Sequence, residues 1–199
     1  YEVGDEAFAL ACKRKALVVV GGDKRQSVEY AQTLPGVRCI ILDDGYQSWG
    51  IARDINIVLL DGRAPFGNRC LIPMGSLREK SLTRASHVVV THAYAVPVEK
   101  RERLKKRIAR YANGRKVPVF WAEHVVNGVY RSNSQRLAAT QYHQVPVDVV
   151  VGIGEPAGFL KTVDELSVSV QKTHVFPDHH AYTVRDLEKI LGTRERVTI

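Results

Sequence analysis

Asp43 and Asp44 end an apolar stretch (Val37, Cys39, Ile40, Ile41, Leu42) and are followed at once by Gly45. Adjacent carboxylates repel each other and resist desolvation. A divalent cation removes that cost, so the pair suits Mg2+ held on the phosphates of ATP at the tip of a strand. The plainer alternative is a strand that ends in an Asp-Gly turn. A second cluster, Phe176-Pro177-Asp178-His179-His180-Ala181-Tyr182-Thr183, sets an acid and two imidazoles side by side. A histidine there could serve as a general base or orient one. The alternatives are a helix start capped by Thr183 with surface histidines, or metal ligation completed by residues from elsewhere.

Two further stretches carry chemistry only in company. Residues 62–80 hold Phe66-Gly67-Asn68 and then Leu71-Ile72-Pro73-Met74-Gly75-Ser76-Leu77-Arg78-Glu79. An arginine can fork onto phosphate oxygens, and a glutamate can join a cation site. Gly4-Asp5-Glu6 reads first as a helix cap.

The elements that must carry these groups alternate. Short helical patterns cover 7–12 and 26–34. Strands are expected at Ala16–Val20, from Val37 to Asp43, and at Ile55–Leu60, His87–Thr91 and Val117–Trp121. Residues 97–112 predict a helix with an apolar stripe (Leu104, Ile108, Tyr111, Ala112) and a strongly basic remainder. That remainder is either a solvated face or a surface for anionic lipid. Residues 123–145 read as an extended linker that turns polar. A second unit follows: strand Val147–Val151, helix 157–166, strand Val168–Val175 and helix 184–191. This order predicts an α/β fold with a parallel sheet. The expected division is a P-loop-type sheet domain over 1–122 and a smaller α/β lobe over 123–199, with the last helix a candidate to pack back on the first part.

Composition narrows the classes. The chain has 199 residues, of which 45% are hydrophobic and 25% charged, as in ordinary globular domains. It contains no apolar run of membrane-spanning length. Cys12, Cys39 and Cys70 are scattered and lack metal-site spacing, which makes a reduced compartment the default. A net charge of +8 favours an anionic partner.

Taken together, Val3-Gly4-Asp5-Glu6, the run from ILDDGYQ through Arg53-Asp54, Phe66-Gly67-Asn68 and LIPMGSLRE, and FPDHHAYT resemble the tetraacyldisaccharide 4'-kinases, the lipid A kinases of Gram-negative bacteria. The resemblance implies transfer of the ATP γ-phosphoryl group to the 4'-hydroxyl of a lipid-linked disaccharide, with ATP and Mg2+ as cofactors. It implies that Asp43 and Asp44 hold Mg2+, with Gln47 and Glu79 in the same network, and that Arg25 and Arg78 neutralise phosphate. It further implies Asp5 as catalytic base with His179, or else His180, as its partner. The expected setting is the cytoplasmic face of the inner membrane, against an anionic surface, with no nucleic acid partner.

Two departures stand against the pattern. The chain has no G-x-x-x-x-G-K-[ST] phosphate loop, which in the family lies upstream of Gly-Asp-Glu, and Gly21-Gly22-Asp23-Lys24-Arg25 is no substitute for it. The expectation is therefore the C-terminal two-thirds of a longer kinase. Ser48 stands where the family often has His. Two rival readings remain: a non-catalytic module that binds anionic lipid, and a metal-dependent phosphoesterase. The second is disfavoured because only 19 residues follow His180.

Overall fold

The computed structural model describes residues 4–131, 135–138, 145–192 and 197–198. The chain is α/β and divides into two compact units, Tyr1–His124 and Val125–Ile199.

The first unit is built on a three-stranded parallel sheet in the order β1 (Ile57–Asp61), β2 (His87–Thr91), β3 (Val119–Trp121). Between β2 and β3 runs α3 (Val98–Tyr111), the crossover that parallel strands require. Pleating sends alternate side chains to opposite faces. Val58, Leu60, Val88 and Val90 therefore meet Leu104 and Ile108 of α3, with Phe66, Leu82 and Ala112 closing the core. Val88 and Val90 are fully buried. The opposite face presents Ile57, Leu59 and Phe120, which are 58%, 67% and 54% exposed. Two helices precede the sheet, α1 (Asp5–Cys12) and α2 (Lys24–Thr33). The Asp23 carboxylate caps α2 by accepting from the Arg25 and Gln26 amides at 2.7 and 3.4 Å.

Two predicted strands are corrected by the structure. Residues 16–20 and 37–42 have no regular secondary structure and form no ladder, and Leu17 and Ile41 are 70% and 91% exposed. An apolar β-branched run signals a strand, yet a strand exists only by pairing, and no described segment pairs with either run.

The second unit opens with a short antiparallel ribbon, β4 (Val129–Tyr130) with β5 (Arg136–Leu137), where a linker was expected. A parallel sheet follows in the order β7 (Ser169–Val175), β6 (Pro146–Val151), β8 (Val197–Thr198). Helix α4 (Pro156–Glu165) lays Val163, Phe159 and Leu160 on Val147 and Val149. Helix α5 (Val184–Leu191) lies within this unit.

Candidate active site: an acidic turn braced by basic side chains

Asp43 and Asp44 form an exposed turn, and Asp44 has a left-handed backbone (φ 46°). Lys24, the first residue of α2, fixes the turn: its Nζ donates to the carbonyls of Asp43 and Asp44 at 3.0 and 2.7 Å. Arg53 donates to the Gly45 carbonyl on the next residue. The Asp44 carboxylate is met by Arg78 Nη1 at 2.7 Å, with both side chains about 60% exposed. Asp44, Arg78, Gln47, Ser48 and Lys24 line one open cleft of about 600 Å³, together with Leu71, Ile72 and Leu77.

Arg78 is delivered by a stapled loop. Asn68 accepts from the Cys70 amide at 3.1 Å and donates to the Met74 carbonyl at 2.8 Å, while the Leu77 amide returns to the Cys70 carbonyl. Gly75 packs so closely that a Cβ there would lie 2.1 Å from Asn68 Oδ1 and 2.3 Å from the Cys70 carbonyl. The Ile72-Pro73 bond in this loop is cis.

Two expected site residues sit differently. Arg25 does not line the cleft; it pairs with Glu29 one turn along α2 at 2.9 Å, in the open. Its neighbour Lys24 reaches the acids instead. Glu79, expected to share a cation with the two aspartates, turns into the protein and is 15% exposed. Both its oxygens accept from Arg84 Nη2, at 3.0 and 2.8 Å. Its negative charge, together with burial as the larger cause, pushes the Tyr46 hydroxyl above its ordinary pKa. Among the described residues no three His, Cys, Asp or Glu side chains converge as a metal cluster.

At the carboxyl edge of the first sheet, Asp61 accepts a fork from Arg63 and lies 3.1 Å from His92 Nδ1. The Arg63 hydrogen bond is the main reason that the Asp61 pKa falls to about 2. Alongside, α3 and the loop from Gly62 to Arg69 enclose a groove of about 650 Å³. Arg69, Lys100, Arg103, Lys106, Arg107 and Arg110 line it over a floor of Val96, Leu104 and Tyr111. Arg107 lies over the Phe66 ring, which stacks on Tyr111 at 4.3 Å.

In the second unit the two histidines part company. His180 is pinned: its Nε2 is 3.1 Å from Asp186 Oδ2, and its ring stacks on Phe176 at 4.7 Å. Asp186 belongs to a capping box in which Thr183 receives the Asp186 amide and the Asp186 carboxylate receives the Thr183 amide. That backbone hydrogen bond is the first cause of an Asp186 pKa of about 2. His179 has a left-handed backbone (φ 53°) and a side chain 57% exposed, 3.8 Å from the Asp178 carboxylate. Asp5 is the first residue of α1, next to Gly4 (φ 70°); its side chain lies outside the described residues.

Sequence reasoning gave no site role to Lys24, Arg53 or Arg84. Arg53 did stand in the run that carries the resemblance, and Lys24 directly follows a Gly-Gly-Asp turn.

The family described as Tetraacyldisaccharide-1-P 4'-kinase matches residues 1–199. A tetraacyldisaccharide 4'-kinase of Anaeromyxobacter dehalogenans (strain 2CP-1) is 37% identical over 198 residues, covering 96% of this chain and 50% of that protein. One of Halothermothrix orenii is 30% identical, covering all of this chain and 54% of its own length. The chain thus spans about half the length of the curated relatives it matches. A crystal structure of the "apo" form of LpxK from Aquifex aeolicus in complex with ATP shares the fold, with a TM-score of 0.52 and 24% identity over 78% of this chain and 50% of that one. The motifs around Asp44, Asn68, Arg78 and His180 thus occupy a chain that matches one family from end to end, and the chain belongs to the tetraacyldisaccharide-1-P 4'-kinase family.

Proposed function

We propose that the protein to which this chain belongs transfers the γ-phosphoryl group of ATP to the 4'-hydroxyl of a tetraacyldisaccharide 1-phosphate. The observation that carries this reading is the acidic turn, held by Lys24 and faced by Arg78 and Gln47 in one cleft, within a chain matched throughout by the kinase family. Asp43 and Asp44 are hard oxygen donors of the kind Mg2+ takes, one or two carboxylates beside phosphate oxygens. Bound there, the ion would neutralise charge on the transferring group. Lys24 holds the backbone of both aspartates, which keeps the Asp44 carboxylate at the cleft with Asp43 beside it. Arg78 rests on Asp44 and can turn its remaining donors to phosphate oxygens. Asp5 is assigned as acceptor of the hydroxyl proton, and His179, the more exposed imidazole, as a further catalytic group; His180 orients the loop through Asp186.

The test is transfer of labelled phosphate from ATP to the disaccharide 1-phosphate in detergent. Asp44→Ala should abolish it. An unchanged rate in that variant removes the site assignment. Hydrolysis of a phosphodiester to a phosphomonoester and an alcohol with Mn2+, in place of transfer, would favour the phosphoesterase reading.

The basic groove on α3 supports a second element, docking on an anionic membrane at the cytoplasmic face. No helix among the described residues is long and apolar enough to cross a membrane. Six cations without an acid among the groove's lining residues match a layer of lipid phosphates, at roughly 1 kcal/mol per basic residue close to such a surface. Sedimentation with vesicles containing phosphatidylglycerol should fall with salt and with Arg103→Glu/Lys106→Glu/Arg110→Glu. Equal binding by that variant removes the docking role.

A further inference from the structure

Arg84 is the most elaborately held charge in the first unit. Its guanidinium lies between two rings, 4.3 Å from the centroid of Tyr46 and 3.7 Å from that of Trp49. One nitrogen, Nη2, holds both oxygens of Glu79. Nε and Nη1 are buried without a hydrogen-bond partner. A buried donor left without an acceptor is costly. A lysine would place fewer donors there, so hydrogen bonding alone does not account for an arginine. The flat, delocalised cation does: it alone can stack on two aromatic faces while it grips a carboxylate.

The two rings come from one place. Tyr46 and Trp49 flank Gln47 and Ser48 and follow Asp44 by two and five residues, so they belong to the loop that carries the candidate metal and nucleotide groups. Trp49 is 67% exposed, so its position is not set by burial in the core. The Tyr46 hydroxyl adds a bond to the Ser81 carbonyl at 3.2 Å. At the other end of the brace, Glu79 directly follows Arg78, the cation on Asp44. The chain thus closes a ring: Asp44 to Arg78 by an ion pair, Arg78 to Glu79 by the backbone, Glu79 to Arg84 by hydrogen bonds, and Arg84 to the loop of Asp44 by stacking.

We propose that Arg84 is a positioning residue that sets the distance between the acidic turn and Arg78 by clamping the loop through Tyr46 and Trp49, and that Glu79 serves this clamp as the anchor of Arg84. The proposal rests on the kinase reading for its catalytic consequence but not for its geometry. Groups that orient the ligands of a metal typically matter by roughly 10- to 100-fold in affinity or rate.

Two variants test it in the full-length protein. Arg84→Lys keeps the charge and can still pair with Glu79 but cannot stack on both rings. Trp49→Ala removes one ring at an exposed position, so folding is preserved even if Arg84→Lys folds poorly. Amide hydrogen exchange is read over residues 45–51, with α3 as the internal control for folding. Each variant should lose protection at 45–51 with α3 unchanged. With phosphoryl transfer as the second readout, kcat should fall roughly 10- to 100-fold. The Mg2+ concentration for half-maximal rate should rise, and KM for the lipid acceptor should hold. The double variant should be little worse than the worse single, because residues acting as a unit are non-additive. A role confined to stability would lower α3 protection together with the loop and leave the Mg2+ dependence alone. Unchanged protection at 45–51 in Trp49→Ala overturns the clamp. If the unaltered protein transfers no phosphate, the kinase reading falls, and exchange still decides the clamp.

Discussion

Asp61→Asn is the perturbation whose size can be worked most directly. The substitution keeps the shape of the side chain and removes its charge. In the folded chain Arg63 draws the Asp61 pKa from 3.8 to about 2. At about 1.4 kcal/mol per pKa unit the shift corresponds to an upper bound of about 2.5 kcal/mol. The carboxylate is 39% exposed, so solvent screening reduces the expected contribution to roughly 1 kcal/mol. The sign follows from the depressed folded value. Stability is fully present above the unfolded pKa and is lost as pH falls through the folded one, with about half gone near pH 3. Both tryptophans, Trp49 and Trp121, lie in the first unit, so their fluorescence reports that unit alone. Urea titrations of both proteins from pH 7 to 3 should show a gap of roughly 1 kcal/mol at pH 6 that narrows below pH 4. A gap that stays constant down to pH 3, or none at pH 6, refutes the argument.

Three shorter predictions accompany it. Ile108→Ala, at a side chain 1% exposed beneath β2, should cost the first unit about 2–5 kcal/mol in the same titration. Thr183→Ala removes one half of the capping box and should weaken α5 by about 0.5–2 kcal/mol, seen as faster amide exchange at Val184–Leu191 with α4 unaffected. Arg78→Met should shift urea stability by less than about 1 kcal/mol, since its ion pair is exposed, while calorimetric titration shows weaker ATP·Mg2+ binding.

The sequence disclosed whatever depended on local pattern. Strand β2 falls on the predicted residues, because an apolar run flanked by polar turns suffices when the strand is central. The stripe on α3 was legible because Leu104 and Ile108 repeat at helical spacing. Ala16–Val20 and Val37–Asp43 carry the same local signal, yet pairing is a property of two segments and leaves no trace in one. The site divides in the same way. Asp44 and Arg78 were visible as residue types, and their contact bears out nothing about metal by itself. Helix α2 begins at Lys24, two residues earlier than its apolar pattern suggests, and it is Lys24 rather than Arg25 that reaches the turn. Arg84 was invisible because its partners, Tyr46, Trp49 and Glu79, are brought together only by the fold.

The face of the first sheet left exposed among the described residues has a colloidal consequence. Ile57, Leu59 and Phe120, with half-buried Val89 between the last two, offer an apolar strip to water. Parallel sheets are ordinarily covered on both sides. The net charge of +8 would hold two such strips apart, acting over a Debye length of about 10 Å at 0.1 M salt and about 3 Å at 1 M. The expected outcome is an electrolyte effect: dilute buffer should keep copies of the chain dispersed, and concentrated salt should bring the strips into contact. Light scattering across a salt series would follow that transition, and a polar replacement such as Leu59→Lys should move it to higher ionic strength.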